Sequence, residues 1–207
     1  TDDNNGVAGS TQVVTLTGTG QTAPTADLST TNIPFGNQRV GASSAATTVT
    51  VTNNGQATLA MTGIALGGAN ANMFSILGSG ATPCNLAGGN VAAGASCTFT
   101  VTFSPTSMGA KAASVTVTDN ASATGAPGTV QTVTLSGTGT QANLTLATSP
   151  TNLGSVKVGV TSSAMTLTLT NSGTDIATLT ASPVAITGTN PGDFAIVAGT
   201  TTCNAGS

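Results

Sequence analysis

His, Glu, Trp and Tyr are all missing from these 207 residues, and charge of either sign is scarce. General acid–base catalysis draws on His, Glu or paired carboxylates, and the only adjacent acids here are Asp2 and Asp3. An enzyme is not expected. The three cations, Arg39, Lys111 and Lys157, are dispersed, and phosphate backbones are gripped by clustered Lys and Arg. Nucleic acid is therefore excluded as a partner. No apolar run approaches the ~20 residues of a membrane span. Neither a signal peptide nor an initiator Met is present, which reads as a mature or partial product.

Charged residues make up 4% of the chain, against roughly 25% in ordinary globular proteins. Aromatics are 2%, and the six acids are all Asp. Hydroxyls and amides must keep the chain in solution, because a net charge of -3 repels weakly. Weak repulsion suits copies that lie side by side.

What the chain does have is a repeat. "QVVTLTGTG" (Gln12–Gly20) returns as "QTVTLSGTG" (Gln131–Gly139), an offset of 119. Gly36, Val40, Gly41 and Gly55 find counterparts in Gly154, Val158, Gly159 and Gly173, an offset of 118. Phe74 falls on Phe194 and Cys84 on Cys203. Such self-similarity marks stacked modules. It divides the chain into 1–20, the terminal strand of a preceding unit; 21–139, a complete unit; and 140–207, the N-terminal part of another. "GTGQTAPTA" and "GTGTQA" read as the Gly/Thr/Pro linkers between them.

Within the unit the pattern has period two. "TTVTVTN" sets Val49 and Val51 opposite a row of Thr, and "CTFTVTF" turns Cys97, Phe99, Val101 and Phe103 inward. "ASVTVTD" and "QTVTLSG" do likewise with Ala113, Val115, Val117, Val133 and Leu135. Alternating apolar and β-branched hydroxyl residues make half-buried antiparallel strands. The fold class is all-β, with six to eight strands per unit in tandem immunoglobulin-like antiparallel β-sandwiches.

Cys97 shares the inward face of its strand, and Cys84 lies 13 residues earlier, beyond a loop with Gly88, Gly89 and Gly94. That loop lets the sulfurs meet. A disulfide is expected, worth roughly 3 kcal/mol for a loop of this size, with two free buried thiols as the alternative. Zinc would need more thiols or His, and a nucleophilic Cys would need a base. A disulfide places the protein outside the cytoplasm, in the periplasm or the exterior. Cys203 lacks a mate within the sequence, whose expected position is near 216.

"FGNQRVG…TVTVTNNG", "MFSI", "C…LAGGNVAAGASCTFTVTFSP", "VTVTDNA" and "TVTLSGTG" together resemble the hydin-like immunoglobulin-like repeats grouped with the ASH domains. Bacterial secreted versions occur in the choice-of-anchor D family. The resemblance implies a seven- or eight-stranded sandwich, usually in tandem, in large surface or secreted proteins. It implies the same cysteine pair, Cys84 and Cys97, and no catalytic residue. Residues 140–207 depart from it where "PFG" becomes "TNLG" and the last strands are missing.

Other features have plainer readings. "TDDNN" at Thr1–Asn5 gathers calcium-type oxygens, but Asp and Asn also make turns, as in "TDNAS" at Thr118–Ser122. An isopeptide from Lys111 wants a buried acid beside it, and "SMGAKAASVTV" has none. Arg39 and Lys157 read as solvated loop charges, and Asn120 and Asn143 as chance glycosylation sequons. Flat Thr-x-Thr faces suggest ice binding, yet two-sided strands already explain them. No metal or cofactor is expected. The expected role is a structural repeat of an extracellular filament or surface stalk, whose partners are copies of itself, as a homo-oligomer or fibre, or adjoining repeats. The alternative is an adhesin or ligand-binding module.

Overall fold

The computed structural model describes residues 11, 13–122, 128–147, 152–180 and 184–197. In chain order the strands are β1 (Asp27–Leu28), β2 (Asn32–Arg39), β3 (Thr47–Thr52), β4 (Leu59–Gly67), β5 (Phe74–Gly78), β6 (Gly89–Val91), β7 (Ser96–Phe103), β8 (Gly109–Asp119), β9 (Thr129–Thr140), β10 (Leu144–Leu146) and β11 (Leu169–Asn171). Single 3-10 turns at Ala71–Met73 and Pro191–Asp193 are the only helical pieces among the described residues.

β1 to β9 form a two-layer sandwich. One sheet has the order β1-β3-β7-β5 and the other β2-β9-β8-β4-β6. The Thr/Val alternation sets the register: Val49 sits opposite Phe99, Val51 opposite Cys97, and Thr50 opposite Thr98. Every second side chain of β3, β7, β8 and β9 thus faces the other sheet. Val49, Val51, Phe99, Val101, Phe103, Val115, Val117 and Val133 are wholly buried. Each such side chain contributes about 1.5–3 kcal/mol on leaving water. With so few aromatics, the core gathers four of the chain's five Phe, three of them in one cluster. Phe74 stacks on Phe103 with centroids 4.8 Å apart, and Phe35 lies 5.9 Å from both.

Two expectations need correction. The sandwich is not wholly antiparallel: β2 runs parallel to β9, pairing Ile33 with Leu135 and Arg39 with Thr140. The cause is the chain's entry, since β1 joins the first sheet and β2, after Ser29–Thr31, joins the second. Pro34 is tolerated because β2 is an edge, and the register slips between Pro34 and Asn37 around Gly36 (φ 69°). That slip is a bulge needing a left-handed residue. Secondly, the "GTGT" run is strand rather than linker, for β9 extends to Thr140. Its glycines answer to packing. A Cβ on Gly137 would stand 2.5 Å from the Phe103 ring.

β10 pairs antiparallel with β11. Many apolar side chains of this region are open to solvent, among them Leu146, Val158, Ile176 and Phe194.

Candidate functional site

Cys84 and Cys97 are bonded, with S–S 2.07 Å and Cα atoms 4.9 Å apart, and both are buried. Cys97 belongs to β7. Cys84 ends a segment laid beside that strand: Cys84 N–H donates to the Thr98 carbonyl at 2.8 Å, and Thr98 N–H to the Thr82 carbonyl at 2.9 Å. Beyond Cys84 the chain crosses to the second sheet, where the Leu86 carbonyl accepts from Ile64 N–H at 2.9 Å and β6 pairs with β4. The disulfide therefore anchors the crossing between layers. Gly78 is the point of closest approach, with the Cys84 carbonyl where its Cβ would lie.

A second constellation grips the incoming chain. Asn53 is fully buried at the end of β3. Its Oδ1 accepts Thr25 N–H at 3.1 Å and Gly55 N–H at 3.0 Å; its Nδ2 donates to the Ala57 and Val91 carbonyls at 2.9 and 3.1 Å. All four hydrogen-bonding positions of the amide are filled. Asn171 repeats this grip on the next stretch, accepting from Asn143 and Gly173 N–H at 3.1 and 3.0 Å and donating to the Asp175 carbonyl at 2.8 Å. "NNG" and "NSG" are turn-forming triplets by composition. Their side chains' reach to the linker was not legible in the sequence, because the bonds span 28 residues.

Charges are placed differently from expectation. Arg39 ends β2, not a loop, and its Nε meets Asp175 Oδ2 at 2.7 Å while Nη2 donates to the Ile176 carbonyl at 3.1 Å. That guanidinium, helped by Ile176 N–H, holds the Asp175 carboxyl below the usual range. Asp119, at the end of β8, is fully buried, and burial pushes its carboxyl up despite a 2.7 Å bond from Ala121 N–H. Its Oδ2 has no partner among the described residues. Lys111 Nζ donates to the Met108 carbonyl at 2.9 Å. Lys157 lines a shallow groove with Leu153, Val156, Val160 and Met165.

Both sequon amides are engaged: Asn120 Oδ1 accepts from Ala60 N–H at 2.8 Å, and Asn143 Nδ2 donates to Ser172 Oγ at 3.2 Å. Thr1–Asn5 and Cys203 lie outside the described residues. Among the described residues no three His, Cys, Asp or Glu gather as a metal site, and no helix is long and apolar enough to cross a membrane.

The ASH profile (abnormal spindle-like microcephaly-associated, ASPM-SPD-2-Hydin) matches residues 24–125. Those residues are an ASH domain. The match suggests a protein-interaction or structural module, and it agrees with the ordered motifs quoted above. Among solved structures, the chain is similar to the ASH/PapD-like domain 7 of human CEP192, at 17% identity and a TM-score of 0.43, covering 66% of this chain and 98% of that one. A Porphyromonas gingivalis protein of unknown function is 14% identical at TM-score 0.42, covering 56% of this chain and 47% of that one. The Vibrio cholerae VesB protease is 17% identical at TM-score 0.40, covering 55% of this chain and 31% of the protease. No curated protein matches.

Proposed function

We propose that this ASH-bearing chain is a non-enzymatic structural repeat of an extracellular filament or surface stalk, of the bacterial choice-of-anchor D kind. Residues 21–139 are its complete immunoglobulin-like unit, 140–207 begin another, and 1–20 carry the terminal strand of a preceding one. The observation that carries the reading is a recurring junction. Asp27 pairs with Thr52 and Leu28 with Val51; 118 residues on, Thr145 pairs with Thr170 and Leu146 with Leu169. The Asn grip recurs at the same spacing. Each 3-10 turn is followed by an extended Phe, Phe74 and Phe194.

What differs is cover. Phe74 is 6% exposed and Phe194 54%. Exposed apolar surface of this extent marks an interface, and added strands are one physical way to close it. Adjoining repeats or neighbouring copies supply them. The buried disulfide supports an extracellular or periplasmic setting, and the lack of His and Glu supports a non-catalytic role.

Electron microscopy of material shed by the native source, labelled with antibody against this chain, tests the reading. Labelled rods or fibres are expected. Dispersed particles that bind glycans or a host protein would instead establish the adhesin reading.

A further inference from the structure

The passage from the sandwich to the stretch that follows it contains almost no free chain. β9 keeps its ladder to Thr140, opposite Arg39, and the Thr140 carbonyl accepts Val40 N–H at 2.8 Å. Gln141 follows, bonded to Thr174 by both backbone groups: its N–H donates to Thr174 Oγ1 at 3.3 Å, and its carbonyl accepts Thr174 N–H at 2.9 Å. Asn143 N–H is held by Asn171, and β10 starts at Leu144. Gly173 is pressed against this passage so closely that a Cβ would meet the Gln141 oxygen at 2.2 Å.

Onto this short passage Arg39 adds a bridge from the sandwich itself, gripping one loop through two acceptors, the Asp175 carboxylate and the Ile176 carbonyl. The junction before the sandwich has the same backbone work without the bridge. There Gln56 N–H donates to the Thr22 carbonyl at 3.3 Å and Thr22 N–H to Gln56 Oε1 at 3.1 Å. The position of Asp175 is taken by Ala57, 118 residues earlier. The charge is specific to one junction.

An exposed ion pair is a weak force, and on a long flexible linker it would be swamped by orientational freedom. Here backbone bonds have already removed most of that freedom, so the pair has only to choose among a few remaining orientations. We propose that Arg39 and Asp175 form a latch between consecutive units, which fixes the orientation of the unit starting at Gln141 and makes the two units one stiff segment. The proposal rests on reading 140–207 as a second unit. In a chain with only three cations, spending one at this place gives each junction its own stiffness. The latch also weakens as salt screens the exposed pair.

The test uses the full chain with nitroxides carried by non-canonical residues at Thr132 on β9 and Thr168 beside β11. Electron–electron distance distributions are compared for the unsubstituted chain, Arg39→Gln, Asp175→Asn and the charge-swapped pair Arg39→Asp/Asp175→Arg, with amide exchange followed in parallel. One narrow distribution is expected, broadened roughly twofold by either single substitution and by high salt, and narrowed again in the swapped pair. Equal widths in the unsubstituted chain and Arg39→Gln, with the Gln141 and Thr174 amides protected in both, overturn the latch alone. Unprotected Gln141 and Thr174 amides in the unsubstituted chain overturn the second unit and the latch together.

Discussion

Three places in the sandwich, the disulfide, the Phe103 ring and the Asp119 carboxyl, concentrate most of what can be tested at the scale of side chains. Replacing Cys84 and Cys97 together by Ser releases the crossing segment from β7, and the chain-entropy argument puts the loss at roughly 3 kcal/mol. A net stability of about 5–15 kcal/mol makes that a large share, to be measured as a lower calorimetric melting temperature matched by reductant on the native chain. Phe103 touches both Phe35 and Phe74. Phe103→Ala is expected to cost about 3–5 kcal/mol, read from chemical denaturation. Asp119 supplies the pH dependence. Its folded-state pKa is raised, so the protonated acid favours the native state. That contribution is complete below the ordinary carboxylate pKa, about 3.9, and is lost as pH rises through the folded value. Asp119→Asn should therefore flatten the decline in stability between acid and neutral pH, measured by denaturation at a series of pH values. Asp175 has the opposite sign, its contribution fading as pH falls, but it is exposed and its effect is small.

At the scale of elements, the legible parts were those with local cause. A Val-Thr-Val-Thr run declares its own two faces, so the buried positions of β3, β7, β8 and β9 could be read directly. The ends of elements could not. "GTGT" carries ordinary linker residues, and only the Phe103 ring, 34 positions away in sequence, explains why Gly137 belongs in a strand. The split of the entering chain between sheets and the parallel β2–β9 pair were hidden for the same reason, for neither leaves a period in the sequence. Arg39 read as a loop charge because its partner lies 136 residues away. The Asn grips now give an element-level prediction. Asn53→Ala strands buried backbone N–H and carbonyl groups and should cost about 1–3 kcal/mol for each group left unpaired. Asn171→Ala, at an exposed site, should cost far less. Comparing the two unfolding midpoints checks this.

For the whole molecule the contrast is between the closed sandwich of β1 to β9 and the exposed apolar side chains on either side of it. Val133 and Leu135 in β9 are buried, while Val14 and Leu16, which occupy the same places in the earlier copy of that motif, are 77% and 89% exposed. Together with Val158, Ile176 and Phe194 they make the chain sticky at both ends. The proposed filament reading predicts concentration-dependent association of the full chain in sedimentation velocity. Removal of residues 1–20 together with 141–207 should leave a monomer. A net charge of -3 does little to oppose that association.

The parallel neighbours β2 and β9 have a mechanical meaning. Because they run the same way, tension applied to the two ends of the sandwich pulls the start of one strand against the finish of the other. Their hydrogen bonds from Asn32–Thr134 to Arg39–Thr140 are then loaded side by side rather than peeled in turn. Should they yield, the closed loop between Cys84 and Cys97 cannot pay out its length. A sandwich built this way resists stretching abruptly, and when it gives, the short loop closed by the disulfide stays locked while the rest of the chain extends.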